Sequence, residues 1–204
     1  MSALLAELAS EARAWLGLEG IAVAAAVLYL VLAIRERKAC WYFAALSSAL
    51  YVYILFGARL YMESGLSVFY FAMAVYGWWS WTGGPSGDAL TVTRWKGALH
   101  AAAIVVVVFL SIVSGYLLSA YTDAAFPYVD SATTWAALWA TFLVARKVLE
   151  NWWYWFVIDA VLVVMFTLRD LELTALLYVV YLVMIPFGYV SWRRSWQSAL
   201  DTPA

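Results

Sequence analysis

A single cysteine, Cys40, and a single histidine, His100, in 204 residues exclude three things. They leave no material for an intramolecular disulfide, a cysteine-cluster metal site or a membrane haem held by paired histidines. Lysine is almost as scarce. Lys38, Lys96 and Lys147 all fall in polar breaks, so the last apolar run lacks the Schiff-base lysine that a seven-helix retinal protein needs. Only one aspartate, Asp159, sits well inside an apolar run, which excludes an intramembrane protease working with two. No glycine-rich loop ending in Gly-Lys-Ser/Thr is present, so this chain does not itself hydrolyse ATP. Charge is sparse at 12% and balanced, 12 basic against 13 acidic residues, which gives no case for nucleic-acid binding. Glu7 and Glu11 against Arg13 lack the basic start of a signal peptide, and the first turns read as an amphipathic lead-in near a membrane surface.

What is abundant is apolar and aromatic: 67% hydrophobic residues, 18% of all residues being Phe, Trp or Tyr. Runs of about 20 apolar residues, the length that crosses a bilayer, recur along the chain. The fold class is therefore an all-α integral membrane protein, with seven predicted transmembrane spans at 16–34, 39–58, 63–81, 98–120, 125–145, 151–168 and 171–192. The fifth begins irregularly, at Pro127 and Asp130. With the N-terminus outside, nine Lys and Arg fall in inner segments (Arg35, Arg37, Lys38, Arg94, Lys96, Arg146, Lys147, Arg193, Arg194) against Arg13, Arg59 and Arg169 outside. That bias orients the chain N-terminus out and C-terminus in.

An internal repeat appears at a constant offset of 111 residues. Arg35 falls on Arg146 and Trp41 on Trp152; between 60–81 and 171–192, eight of 22 positions are identical, including Gly77/Gly188, Ser80/Ser191 and Trp81/Trp192. One transmembrane domain over 1–194 is expected: repeat one at about 16–81, a linker helix at about 98–120, repeat two at about 125–192, then a cytoplasmic tail, 195–204. Three spans invert the chain and a fourth restores it, so the two triple-helix units are parallel. Parallel repeats are found in transporters that bind substrate between their halves, and also in bundles built by plain duplication.

The candidate site centres on Glu150-Asn151-Trp152-Trp153-Tyr154-Trp155-Phe156-Val157-Ile158-Asp159. Asn151, Trp155 and Asp159 are spaced by four and share a helix face. Polar groups at membrane depth usually face a bundle interior or a wet cavity. The tryptophans also fit an interfacial belt, and Asp159 fits an interhelical hydrogen bond, a cation site or a proton carrier. Trp78 and Trp81, three apart, are placed to wall a cavity that suits a flat ligand, and an indole face attracts a cation. Asn151 is suited to orienting that ligand, because an amide both donates and accepts. Trp153 fits lipid contact and Trp196 inner-interface anchoring; His100 reads as an interfacial residue.

These residues resemble the PnuC family of vitamin transporters. The resemblance rests on Ala145-Arg146-Lys147, Glu150-Asn151-Trp152 with Trp155 and Asp159, Arg59-Leu60-Tyr61, Tyr76-Gly77-Trp78 with Trp81, Phe126-Pro127-Tyr128 with Asp130, and Leu173-Thr174-Ala175-Leu176-Leu177-Tyr178. It covers roughly residues 20–194. The resemblance implies a 3+1+3 fold with parallel repeats, similar in plan to SWEET proteins. It further implies facilitated diffusion of nicotinamide riboside, thiamine or riboflavin across a bacterial inner membrane, a cytoplasmic kinase that traps the vitamin, and a possible homotrimer. No cofactor or metal is implied, and no enzymatic activity. Carried over position by position, the substrate-binding set is Trp78, Trp81, Asn151, Trp152, Trp155 and Tyr178, with Ser67 and Asp159 added from the repeat and the span. Nicotinamide riboside carriers of that family commonly have Gln where this chain has Ser67, which raises thiamine as the alternative. Glu63, one turn earlier, is placed to attract either cation, or simply to sit at a solvated helix start.

Overall fold

A computed structural model of the protein describes residues 2–57, 61–84, 87, 90–169 and 172–201, with side chains described from 17 onward except 61–63 and 172–173. Arg59, Leu60, Asp170 and Leu171, and the side chains of Glu7, Glu11, Arg13 and Glu63, lie outside the described residues. Among the described residues seven helices follow in order: α1 (Ser2–Ile34), α2 (Cys40–Gly57), α3 (Tyr61–Trp81), α4 (Gly97–Tyr121), α5 (Pro127–Ala145), α6 (Asn151–Thr167) and α7 (Glu172–Asp201). The polar breaks read from the sequence are the inter-helix turns, but α7 continues as helix past its expected end at 192. Among the described residues, four segments are long and apolar enough to cross a bilayer: Gly17–Ile34, Cys40–Gly57, Gly97–Tyr121 and Thr174–Asp201. The apolar α6 is shorter. Helices α3 and α5 stand apart because serine and threonine (Ser64, Ser67, Ser80; Ser131, Thr133, Thr134, Thr141) dilute their apolar residues.

The chain divides into two compact units, Met1–Ala89 and Leu90–Ala204. In the first, α2 packs on both α1 and α3. In the second, α4 packs on α5, α5 on α6 and α6 on α7.

Apart from a few large side chains, much of what is buried in these helices is small or polar. Ala22, Ala25, Ala33, Ser47, Ser64 and Ala74 fill the first unit, while Val105, Phe109, Ile112 and Val164 of the second lie exposed. A water-soluble core has the opposite distribution. Where lipid covers apolar side chains, small residues instead let helix backbones approach closely. Hydroxyls join the helices at those seams. Ser47 Oγ donates to the Ala22 carbonyl at 2.9 Å, Ser64 Oγ to that of Val52 at 3.0 Å, and Trp135 Nε1 to Ser114 Oγ at 3.1 Å.

Each unit contains a tight notch in which a tryptophan covers a glycine. In the first, Trp41 lies flat over Gly77, where an added Cβ would overlap the indole ring. Trp41 meets the edge of Trp81 at 5.4 Å between centroids and 87°. In the second, Trp152 covers Gly188 in the same way and meets Trp192 at 5.5 Å and 86°. The aromatic pair beside each notch exchanges its members: Tyr42 with Trp78 at 6.3 Å, Trp153 with Tyr189 at 5.2 Å.

The turns correspond as well. Glu36 (φ 54°) and Lys147 (φ 49°) are the non-glycine residues in the left-handed region among the described residues. Around Glu36, its N–H bonds Ala33 O at 3.0 Å and Arg37 N–H bonds Leu32 O at 2.9 Å. Around Lys147, the bonds to Val144 O and from Val148 N–H to Leu143 O are both 2.9 Å. This pair of bonds is the Schellman helix stop, and it recurs at the 111-residue offset.

Gly77→Ala or Gly188→Ala should therefore destabilise the protein by about 1–3 kcal/mol through overpacking. Gly65→Ala, where a Cβ meets nothing within 4 Å, should be neutral or stabilising. Thermal unfolding in detergent, followed by tryptophan fluorescence, separates the two classes.

Candidate functional site

In the first unit the candidate residues lie on α3. Seven and eleven residues separate Ser67 from Ala74 and Trp78, so these three share a helix face. Ser67 and Ala74 are buried, whereas Trp78 is 39% exposed. Its ring and that of Tyr42 flank an open apolar groove of about 200 Å³, lined also by Trp41, Ala45, Ala74 and Val75. Trp81 is buried in the notch against Trp41. Trp78 thus presents the open aromatic surface, and Trp81 braces it from within.

In the second unit the candidates lie on α6 and α7. Asn151 opens α6 and is completely buried. Its Nδ2 donates to the carbonyl of Val148 at 2.7 Å, while its Oδ1 is buried without a hydrogen-bond partner among the described residues. With the amide nitrogen held by Val148, Oδ1 is left as the acceptor for a donor. An unsatisfied buried acceptor costs about 1–3 kcal/mol, so this feature weakens the fold. Trp152, in its notch, leaves Nε1 similarly unpartnered. Trp155 packs half-buried on Ala137, Ala140 and Ile158, and Asp159 is buried one turn beyond it. Tyr178 stacks on Phe166 at 5.4 Å with planes 9° apart and meets Tyr181 edge-on at 5.8 Å.

Around the start of α6 the structure assembles a cluster that sequence reasoning missed. Residues 92–95, before α4, lie along the α5–α6 turn. Thr93 N–H bonds Lys147 O at 3.0 Å and Leu149 N–H bonds Thr93 O at 2.9 Å, a short parallel bridge. Glu150 closes it: Oε1 accepts from Arg94 Nε at 2.7 Å and Oε2 from Trp95 N–H at 3.3 Å. The hydrogen bond and charge of Glu150 push the Arg94 guanidinium above its ordinary pKa. With Arg94 largely exposed, such a pair contributes roughly 0.2–1 kcal/mol. The same guanidinium lies 5.3 Å from the Trp196 ring. His100, read as an interfacial residue, belongs to this cluster: Nδ1 is 3.1 Å from Tyr154 OH and Nε2 is 3.8 Å from Glu150 Oε2. The sequence signal was faint, an acid abutting an apolar run, with its partner 56 residues away.

Small-residue helix seams and apolar outer surfaces define a polytopic membrane protein, one that buries an unsatisfied amide at Asn151. The chain belongs to the nicotinamide mononucleotide transporter family, whose model matches residues 16–194. It is 28% identical over 204 aligned residues to the nicotinamide riboside transporter PnuC of Escherichia coli (strain K12), covering 87% of this chain and 85% of that one. It is 26% identical over 172 residues to the riboflavin/roseoflavin transporter RibM of Streptomyces davaonensis, covering 80% and 79%. The fold is similar to the crystal structure of the vitamin B3 transporter PnuC, with a TM-score of 0.68 at 20% identity, over 94% of this chain and 88% of that one. The protein is a membrane transporter and not an enzyme.

Ser131 Oγ is another buried atom without a hydrogen-bond partner among the described residues. Ser131→Ala should leave stability unchanged or raise it by about 1 kcal/mol, since it removes an unmet desolvation cost. A lower unfolding temperature for that variant would show that the hydroxyl is satisfied.

Proposed function

We propose that the protein carries a small cationic vitamin into the cell, nicotinamide riboside first. The observation that carries this reading is the alignment with the Escherichia coli nicotinamide riboside transporter over most of both chains. The side chains agree with it chemically. A pyridinium is a flat cation, to which the exposed Trp78 and Tyr42 rings offer π-faces. The unpartnered Oδ1 of Asn151 accepts from an amide or ribose hydroxyl. Ligand contacts are assigned to Trp78, Asn151, Trp152, Trp155, Tyr178, Ser67 and Asp159, with Trp81 a supporting residue behind Trp78.

Transport proceeds by facilitated diffusion and alternating access, and a cytoplasmic kinase traps the vitamin as its phosphate. The chain crosses a bacterial inner membrane seven times, N-terminus out, as the distribution of Lys and Arg favours. The recurrence of the tryptophan notch, the aromatic pair and the left-handed turn at one offset supports a 3+1+3 plan with parallel repeats. Homotrimers are the proposed assembly.

Thiamine is the second reading, favoured by the short Ser67 side chain, which leaves more room than an amide does. Titration calorimetry on the purified protein with nicotinamide riboside, thiamine and riboflavin decides between them. Saturable binding of nicotinamide riboside above the other two is expected. Thiamine or riboflavin binding alone would replace the substrate, and binding of none would make the chain a non-transporting scaffold. Asn151→Ala and Trp155→Ala should each cut uptake at least about tenfold, the equivalent of one lost interaction of about 1.4 kcal/mol, while folded protein remains in the membrane. Uptake at the parent level would remove either residue from the site.

A further inference from the structure

An acidic residue immediately before a helix ordinarily caps it, its carboxylate accepting from the first free N–H groups. Glu150 precedes α6 and does not: it makes no side-chain cap bond and its backbone is already helical. Both carboxylate oxygens are instead turned to the 92–95 segment, one on Arg94 Nε at 2.7 Å and the other on Trp95 N–H at 3.3 Å. That segment in turn fixes Lys147 and Leu149 through the Thr93 bonds of 3.0 and 2.9 Å. Between those two residues lies Val148, whose carbonyl accepts both from the Asn151 backbone N–H at 3.1 Å and from Asn151 Nδ2 at 2.7 Å. The orientation of the unpartnered Oδ1 is thus set by Val148, and Val148 by the strap that Glu150 closes.

We propose that Glu150 is a positioning residue for the transported ligand, acting through the Thr93–Trp95 strap to hold the Asn151 amide with its oxygen presented. The device belongs to the second unit alone. At the repeat offset, Glu150 and Asn151 correspond to Ala39 and Cys40, which supply neither a carboxylate nor an amide. Arg94 is the strap's other anchor, and Trp95 keeps it seated, its ring packed 6.0 Å from that of Trp139 and 6.2 Å from that of Phe142. A rigidly presented acceptor loses less conformational freedom when a ligand binds than a mobile one. The proposal rests on the reading of Asn151 as a ligand contact.

A double-mutant cycle on purified protein, with nicotinamide riboside as the probe, tests it. Glu150→Ala should weaken binding about tenfold, and Asn151→Ala by a similar factor. The double variant should be no weaker than Asn151→Ala alone, because residues in one network do not add. Glu150→Gln keeps one acceptor oxygen for Arg94 or Trp95 and should recover part of the affinity. Arg94→Ala, at an exposed position, opens the same strap without threatening the fold and should show the same loss and the same non-additivity, even if Glu150→Ala does not fold. Additive losses, Gln behaving like Ala, or full affinity in Arg94→Ala and Glu150→Ala would overturn the proposal. Full affinity in Asn151→Ala would overturn the site reading itself, a result distinguishable from the others.

Discussion

The packing of a tryptophan ring onto a bare glycine backbone is the constraint on which the helix arrangement depends. In lipid, burying leucine against leucine contributes little, because the solvent is as apolar as the side chain; close van der Waals packing has to supply the cohesion. Trp41 over Gly77 and Trp152 over Gly188 meet that need with the largest side chain against the smallest, each closed by a second indole. The serine and alanine seams follow from the same requirement. Helices that approach this closely leave little space for branched side chains at these seams, and Val105, Val106, Val108 and Ile112 of α4 lie exposed.

A rigid framework permits a costly feature elsewhere. Asn151 is buried with its amide oxygen unpaired. The surrounding turn holds it there through backbone bonds from a segment more than fifty residues earlier. Such an unmet bond gives selectivity for any molecule that can donate to it over one that cannot. In the first unit Trp78, unlike Trp81, leaves its ring open, while its neighbour serves packing.

Much of this was legible in the residues. The boundaries between helices follow the polar breaks to within a few positions, since a charged turn between apolar runs has no other place in a bilayer protein, but α7 runs on to Asp201 past its expected end at 192. The 111-residue register was visible because glycine and tryptophan matched together, and apolar bias alone does not pair those two. Asn151 stood out as an amide beginning an aromatic run. The Glu150 clasp was not legible, because nothing local in Arg94-Trp95 or Glu150 states that they meet. Nor did spacing distinguish Trp78 from Trp81, which differ by less than one helical turn yet have opposite environments.

The sequence by itself determined the solvent, the class of secondary structure and the duplication, because each depends on composition and periodicity summed over many residues. Which tryptophans brace and which remain open was decided only by tertiary structure, as was the commitment of the Asn151 nitrogen to Val148 and the turning of Glu150 away from its own helix. The reason is physical: those outcomes depend on contacts between segments distant in the chain, at distances of a few ångströms, and such proximity is created only when the helices pack.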